Sequence, residues 1–109
     1  MSASSEAYDC FRRGSELLAH KDFRAATVPL ERAKRLEPDK GSIREALGRA
    51  YLSCRAYQRA AVEFAAAVEL APTDGYAHYG LARALERLGE EQDAARHYKL
   101  AHCFGLRLS

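Results

Sequence analysis

The sequence predicts an all-α protein, an α-solenoid of three tandem helix-turn-helix hairpins with six helices. Its 109 residues repeat themselves at a period of 34, as Ala26, Ala60 and Ala94 show, and Pro38 lies the same distance before Pro72. Within each copy, apolar residues recur at spacings of three and four, which is typical of helices with one buried face. A repeat of this length cannot bury a core alone, so we expect the copies to stack.

Each copy contains two apolar stretches separated by a short polar turn. The three turns are His20-Lys21-Asp22, Arg55-Ala56 and Leu88-Gly89-Glu90. The helices are predicted over residues 6–20, 23–36, 42–54, 57–70, 75–88 and 91–104. By length the chain is one domain, residues 1–109, with repeats over roughly 7–40, 41–74 and 75–108.

Local signals mark several helix ends. Ser42 and Glu45 have the S-x-x-E spacing of a capping box, which places the start of the third helix near Ile43. The proline that closes each of the first two copies ends the preceding helix, because proline disfavours helical geometry in the residue before it. Pro29 lies inside the second predicted helix, where its missing amide donor is expected to produce a kink.

These repeats resemble the tetratricopeptide repeat family over residues 7–108. In the middle copy the family pattern is met by Gly48, Tyr51, Ala60, Phe64, Ala67 and Pro72. The first copy has Gly14, Leu17, Ala26, Leu30, Ala33 and Pro38, and the third has Ala82, Leu85, Ala94, Tyr98 and Ala101, with Leu106 in place of proline. The family's tryptophan is replaced by Cys10, Arg44 and His78.

The small residues of the pattern have a packing role. Gly14, Gly48 and Ala82 allow paired helices to approach closely, and larger side chains such as Leu30 and Phe64 fill the space between hairpins. A bulky substitution at Gly48 is expected to overpack this contact.

Composition excludes several functional classes. Apolar residues make up 48% of the chain, and 17 basic against 15 acidic residues leave a net charge of +2 with both signs mixed throughout, so no nucleic-acid partner is expected. No uncharged run approaches the ~20 residues that span a bilayer, so no membrane partner is expected either. Three cysteines without a C-x-x-C spacing indicate reduced thiols, and a cytoplasmic location is predicted.

Candidate catalytic and metal residues are few. His97, His102 and Cys103 are close in sequence, but their spacing places the histidines on divergent helix faces, and a packed or solvated role is preferred. His20 and His78 stand alone and are interpreted as structural. We therefore predict no enzyme activity, no metal and no cofactor.

The resemblance implies a concave groove lined by the first helix of each hairpin. Stripes at helical spacing on these helices supply the predicted peptide-binding residues, and they also pass through Leu18 and Ser42. Aromatic residues and arginine supply much of the energy in recognition surfaces, so the expected ligand is a peptide or protein segment. For each aromatic, packing onto a neighbouring helix is the alternative. The predicted groove residues are Tyr8, Phe11, Ser15, Glu45, Arg49, Leu52, Tyr76, Tyr79, Arg83 and Arg87.

The function predicted from these features is a non-catalytic protein-protein interaction module whose partner is another protein or peptide. Chaperone-binding members of the family hold an acidic C-terminus with basic and amide side chains, but the corresponding positions here are Phe11, Ser15, Ala46, Tyr76 and Gly80, so that clamp is not expected. The alternatives are a structural scaffold that self-associates and an accessory subunit of a larger complex.

Self-association is predicted at the C-terminal end. Phe104, Leu106 and Leu108 are apolar, and an uncovered apolar end marks an association surface, so a homodimer through the third repeat is expected. The alternative is that Leu106 and Leu108 fold back and cap the third hairpin within a monomer.

Overall fold

The computed structural model describes residues 3–106, and within that range the chain forms six α-helices joined by short turns. Each hairpin packs on the next through contacts of α2 with α3 and of α4 with α5. The predicted all-α solenoid is confirmed, and every helix begins and ends within three residues of its predicted bounds. The single domain of residues 1–109 and its repeat borders stay predictions. The helices are α1 (Ala3–Ala19), α2 (Phe23–Leu36), α3 (Gly41–Ser53), α4 (Tyr57–Leu70), α5 (Gly75–Arg87) and α6 (Glu91–Cys103).

The three hairpin turns share one backbone geometry. Each contains a residue with positive φ at the same point of the repeat, namely Lys21 at 61°, Arg55 at 64° and Gly89 at 83°. The next residue then donates its amide to a carbonyl of the preceding helix, over 2.8 Å in the first two turns and 2.9 Å in the third. This left-handed helix ending satisfies carbonyls that the helix leaves open. Equivalent turns give the hairpins a common shape.

The predicted capping box is wrong. The residue before α3 is Lys40, the helix begins at Gly41, and no side chain caps it, so Ser42 lies inside the first turn. One extra helical residue moves the serine hydroxyl away from the free amides that a cap must reach. A side-chain cap is found instead at α5, where Asp74 accepts a hydrogen bond from the backbone amide of Tyr76 over 3.0 Å.

Pro29 does not end its helix. The helix α2 continues from Phe23 to Leu36 with the proline inside it. Leu30 and Ala33, which follow the proline, are fully buried. Burial of this face stabilises helical geometry beyond the missing hydrogen bond, since tertiary packing supplies most of a helix's stability in proteins.

Phe64 makes the contact that sets the spacing between α3 and α5, the first helices of the second and third hairpins. Its ring is 1% exposed and lies between Gly48 of α3 and Gly80 of α5. A Cβ atom on Gly48 would lie 2.8 Å from the ring, and one on Gly80 would overlap it further. The first hairpin repeats this arrangement, with Leu30 against Gly14. The predicted small slots therefore lie at close helix contacts, and Gly80 is an additional one.

We expect Gly80→Ala to destabilise the protein by about 1–2 kcal/mol, because overpacking costs about 1–3 kcal/mol and the better helix propensity of alanine returns up to about 1 kcal/mol. Gly41→Ala is the matched control, since it also lies in a helix but has no atom within 4 Å of the added Cβ. The measurement is the urea concentration at the unfolding midpoint of each variant, compared with that of the wild type. Equal midpoints for the two variants would contradict the close contact.

Polar pairs occupy the position of the missing tryptophan in two of the hairpins. Arg44 donates to Glu63 over 3.0 Å, and the Nδ1 atoms of His78 and His97 are also 3.0 Å apart. Each pair joins residues 19 apart, and the two pairs lie one repeat apart in sequence. A side-chain pair thus links the two helices of a hairpin where the family pattern has one large ring.

Glu63 is the centre of a network that joins the first two hairpins. Its side chain is 5% exposed and accepts hydrogen bonds from Lys34 over 2.8 Å and Arg44 over 3.0 Å. Lys34 also contacts Glu31, which accepts a hydrogen bond from the Tyr51 hydroxyl over 3.2 Å. Burial alone would lower the pKa of Lys34, but hydrogen bonds to the two carboxylates outweigh it and raise that pKa. The network ties α2, α3 and α4 together.

We expect Glu63→Gln to destabilise the protein by about 3 kcal/mol, the low end for a broken buried ion pair, because it leaves Arg44 without its carboxylate and Lys34 with Glu31 alone. The estimate is at the low end since Lys34 and Arg44 keep side-chain exposures of 23% and 19%. Glu69→Gln, an exposed carboxylate on the same helix, is the control. The measurement is the unfolding free energy from urea titration, and similar losses in both variants would refute the role of Glu63.

Candidate functional site

An open groove of about 320 Å³ lies across α1, α3 and α5. The sequence analysis predicted a binding surface on these three helices. Tyr76, 41% exposed, and the exposed Arg49 offer side chains to a ligand, whereas Phe11 is half-buried and also packs against the hydrophobic core. The predicted site residues that line the groove are Phe11, Ser15, Glu45, Arg49 and Tyr76, and the remaining lining residues are Leu18, Ala19, Ser42 and Ala46.

The other predicted residues lie outside this groove. Tyr8, 62% exposed, is one turn before Phe11 in α1. Leu52 is half-buried and packs against the core. Tyr79, Arg83 and Arg87 lie further along α5. A partner contact by any of these residues stays a prediction.

Two arginines of α5 lie against tyrosine rings. The guanidinium carbon of Arg83 is 5.9 Å from the ring centroid of Tyr79, and that of Arg87 is 5.9 Å from the centroid of Tyr57. Distances of this size allow a cation-π attraction. Tyr79 in turn packs on Tyr98, with ring centroids 5.8 Å apart. Tyr79 therefore has the packing role that was the alternative for each aromatic, and it positions Arg83 at the same time.

Tyr98 is held in place by a carboxylate. Its hydroxyl donates a hydrogen bond to Glu86 over 3.0 Å. Burial, and then this hydrogen bond with the negative charge of Glu86, raise the pKa of Tyr98 to about 12. The hydroxyl therefore stays protonated near neutral pH and acts as a hydrogen-bond donor.

Glu45 and Asp74 form a carboxyl pair at the edge of the groove. Burial, and then the charge of Asp74 and a hydrogen bond to it, raise the pKa of Glu45 to about 7. Asp74 cannot easily move away, because its side chain also caps α5. Near neutral pH the pair is partly protonated, so its negative charge is reduced beside Arg49.

His78 does not stand alone as predicted, because it pairs with His97 of α6. His78 is 4% exposed, and its Nε2 lies 2.7 Å from the carbonyl oxygen of Pro72. Nε2 donates to that oxygen, and a hydrogen bond joins Nδ1 of His78 to Nδ1 of His97. Burial, and then the charge of His78, lower the pKa of His97, which favours the neutral form of the His97 ring. His102 instead contacts the carbonyl of Leu106.

The remaining polar and apolar features of the described part of the chain concern metal ligands, thiols and helix length. Residues 3–106 contain no group of three or more His, Cys, Asp or Glu side chains placed to hold a metal ion. All three cysteines are free; Cys10 and Cys54 are half-buried and Cys103 is exposed. No helix in this range is long and apolar enough to cross a membrane.

Comparison with known families gives the family of the chain. The model of the bacterial transcriptional activator domain matches residues 3–103. The chain belongs to this family. Human Superkiller complex protein 3 is 31% identical over 99 residues, a match that covers 91% of this domain and 6% of that protein. The chain thus spans a small part of the curated relative that it matches.

Solved structures similar to this domain confirm the tetratricopeptide repeat fold. The Arabidopsis OM64 TPR domain has a TM-score of 0.92 at 16% identity, with 95% of this chain and 86% of that chain covered. The second TPR of Spaghetti (RPAP3), bound to the HSP90 peptide SRMEEVD, has a TM-score of 0.88 at 16% identity, with 94% and 96% covered. A point mutant of MamA has a TM-score of 0.86 at 22% identity, with 93% and 74% covered.

The C-terminal end of this domain is partly folded back on the third hairpin. Gly105 has a φ of 94°, and the Leu106 amide donates to the carbonyl of Ala101 over 3.0 Å. Leu106 lies beside Gly75 at the start of α5, and Phe104, 39% exposed, packs on His78 with ring centroids 5.5 Å apart. Leu108 lies outside the described residues. A homodimer through this end stays a prediction.

Sequence reasoning missed Asp74 as a partner of Glu45. The two residues are 29 apart in sequence, and they meet because the hairpins stack α5 beside α3. The available signal was the aspartate directly before a predicted helix start, a preferred capping residue. That signal places the Asp74 carboxylate at the helix end but does not identify its neighbour.

We expect Glu45→Gln to stabilise the domain at pH 8 and to have little effect at pH 5. The raised pKa of Glu45 means that the folded protein keeps a proton which the unfolded chain loses, so wild-type stability falls as pH rises from about 4.5 to about 7. Glutamine removes this penalty, since its amide donates to Asp74 as the protonated carboxyl does. Urea midpoints at both pH values, with Glu69→Gln as control, provide the measurement. An identical difference from wild type at pH 5 and pH 8 would contradict the pairing.

Proposed function

We propose that this domain is a non-catalytic protein-interaction module that holds a segment of a partner protein in the groove across α1, α3 and α5. The observation that carries the proposal is the groove itself, to which all three hairpins contribute. Apolar side chains such as Leu18 and Tyr76 lie in it beside the charged Arg49. Large rigid rings with nearby hydrogen-bond donors are typical of surfaces that recognise proteins.

The comparisons support this function. The family description names bacterial transcriptional activators, so we propose that the partner belongs to the transcription machinery or to its regulators. The TPR of RPAP3, which shares the fold, is bound to a peptide. A cytoplasmic location and the absence of catalysis are part of the same proposal.

The mode of binding proposed here differs from that of the chaperone-binding members. At the positions corresponding to their clamp, this chain has Phe11, Ser15 and Tyr76 in the groove together with Ala46. The fifth position, Gly80, lies against the Phe64 ring and has no side chain to offer. A terminal carboxylate is therefore not the feature that these positions recognise.

The test is a groove variant compared with a matched variant on another surface. Tyr76→Ala combined with Arg49→Ala removes one exposed ring and one cation from the groove. Val28→Ala combined with Arg35→Ala removes an apolar side chain and a cation from α2, where Val28 is 72% exposed. The partner is first captured from the native extract, purified and then titrated by calorimetry.

We expect the groove variant to bind its purified partner at least about 30-fold more weakly, the loss that follows from one hot-spot residue. The α2 variant is expected to bind as wild type does, and circular dichroism should show equal helicity in both. Loss of binding in the α2 variant alone would place the site on the α2 surface and refute the groove.

A further inference from the structure

Three arginines form a row on the helices that line the groove. Arg49 and Arg83 occupy the same slot in successive repeats, 34 residues apart, and Arg87 follows Arg83 one turn later. Because the hairpins stack side by side, equivalent slots are neighbours on the same face. We call Arg49, Arg83 and Arg87 the arginine row. All three side chains are exposed.

The arginine row forms no ion pair with a carboxylate in the part of the chain that the structure describes. Elsewhere, Arg12, Arg32, Arg44 and Arg96 each lie within 4.0 Å of a carboxylate. Across residues 3–106 no such ion pair includes a member of the row. Exposed arginines without a carboxylate also occur on α2, at Arg24 and Arg35, so the missing partner is not sufficient evidence by itself.

The row differs from those α2 residues by its aromatic support. The guanidinium groups of Arg83 and Arg87 lie 5.9 Å from the ring centroids of Tyr79 and Tyr57. Contact with a ring restricts the long side chain and leaves the planar N–H donors free at its edge. A side chain that is already restricted loses less conformational entropy when it binds. Arg83 and Arg87 are therefore preorganised donors for anions, and Arg49 extends the row onto α3.

The carboxylates nearest to the row are engaged elsewhere. Glu86, between Arg83 and Arg87 in sequence, accepts the hydrogen bond of the Tyr98 hydroxyl. Glu45, one turn before Arg49, is paired with Asp74 and is partly protonated near neutral pH. Among residues 3–106 neither carboxyl lies within 4.0 Å of a guanidinium of the row, so the N–H donors of the row are open to an anionic ligand beside the groove.

We infer that the segment bound by this domain is an acidic peptide, whose aspartate and glutamate side chains pair with the arginine row while its apolar side chains enter the groove. This inference rests on the proposed function and adds the chemistry of the partner. Arginine and carboxylate form short, charge-assisted and often bidentate hydrogen bonds. The small net charge of +2 and the adjoining apolar groove favour a peptide over a nucleic acid, which needs a wider basic surface.

The experiment begins with selection of random 12-residue peptides displayed on phage against the wild-type domain. We expect aspartate and glutamate to be enriched among the selected peptides relative to the starting library. The best peptide is then synthesised together with an analogue in which every Asp and Glu is replaced by Asn and Gln. Calorimetry measures both peptides against wild type, Arg83→Gln/Arg87→Gln and Arg24→Gln/Arg35→Gln.

The two double variants lose the same charge from different surfaces. We expect the acidic peptide to bind the Arg83→Gln/Arg87→Gln variant at least about tenfold more weakly, since a hydrogen bond to a charged group contributes about that factor or more. Replacing the acidic side chains should weaken binding to wild type but leave binding to this variant nearly unchanged. The α2 double variant should match wild type.

The outcomes separate this inference from the proposed function. Peptides that lose binding with Tyr76→Ala but tolerate the change from Asp and Glu to amides would overturn the acidic partner and leave the groove proposal standing. A selection without binders, or binders indifferent to both sets of variants, would count against both. Binding of a 20-base-pair duplex that depends on Arg83 and Arg87, and that displaces the peptide, would overturn the inference in favour of nucleic acid.

Discussion

The packing of one ring, Phe64, is the constraint on which the groove depends. The side chain comes from α4 but lies between glycines of α3 and α5, so it holds the first helices of two hairpins at a fixed separation. Protein interiors are close-packed and hardly compressible, so this contact fixes the distance between the two helices. The groove is formed by surfaces of these same helices. Its shape is thus determined by residues that no ligand touches.

The helices could be predicted from sequence because their information is local and repeated. Apolar spacing, the turn residues and the 34-residue period all agree, and consistency across levels favours a single fold. The turn at Arg55 has a left-handed residue that is not glycine, yet its place was found from the period. The start of α3 was misjudged because the S-x-x-E pattern occurs one residue inside the helix.

The candidate site was predicted less completely, since its features join residues that are distant in sequence. Helical spacing placed Phe11, Glu45 and Tyr76 on one surface, because equivalent helices of stacked hairpins present the same side to the groove. It could not show that Glu45 meets Asp74, or that Tyr79 is turned onto Tyr98. These contacts depend on the separation of the hairpins and on side-chain rotamers, neither of which helical periodicity encodes.

The polar pairs explain how the family's tryptophan can be absent without loss of the fold. The tryptophan position requires a link between the two helices of a hairpin. Hydrogen bonds provide that link, between Arg44 and Glu63 in the second hairpin and between His78 and His97 in the third. Such pairs are demanding, because removing one member leaves a buried polar group unsatisfied. The second and third hairpins make this link with different chemistry, so these two copies resemble each other more in packing than in polar contacts.

Tyr79 links the packing of the third hairpin to the proposed recognition of acidic side chains. The residue of the middle repeat that corresponds to Tyr98 is Phe64, and its ring packs on Gly80 of the next hairpin. Tyr98 has no next hairpin within the described residues; it packs on Tyr79 and donates to Glu86. Tyr79, fixed in this way, supports Arg83. The side chains that cover the last hairpin therefore also orient a cation of the arginine row, and a change at this end should alter partner binding without a direct contact.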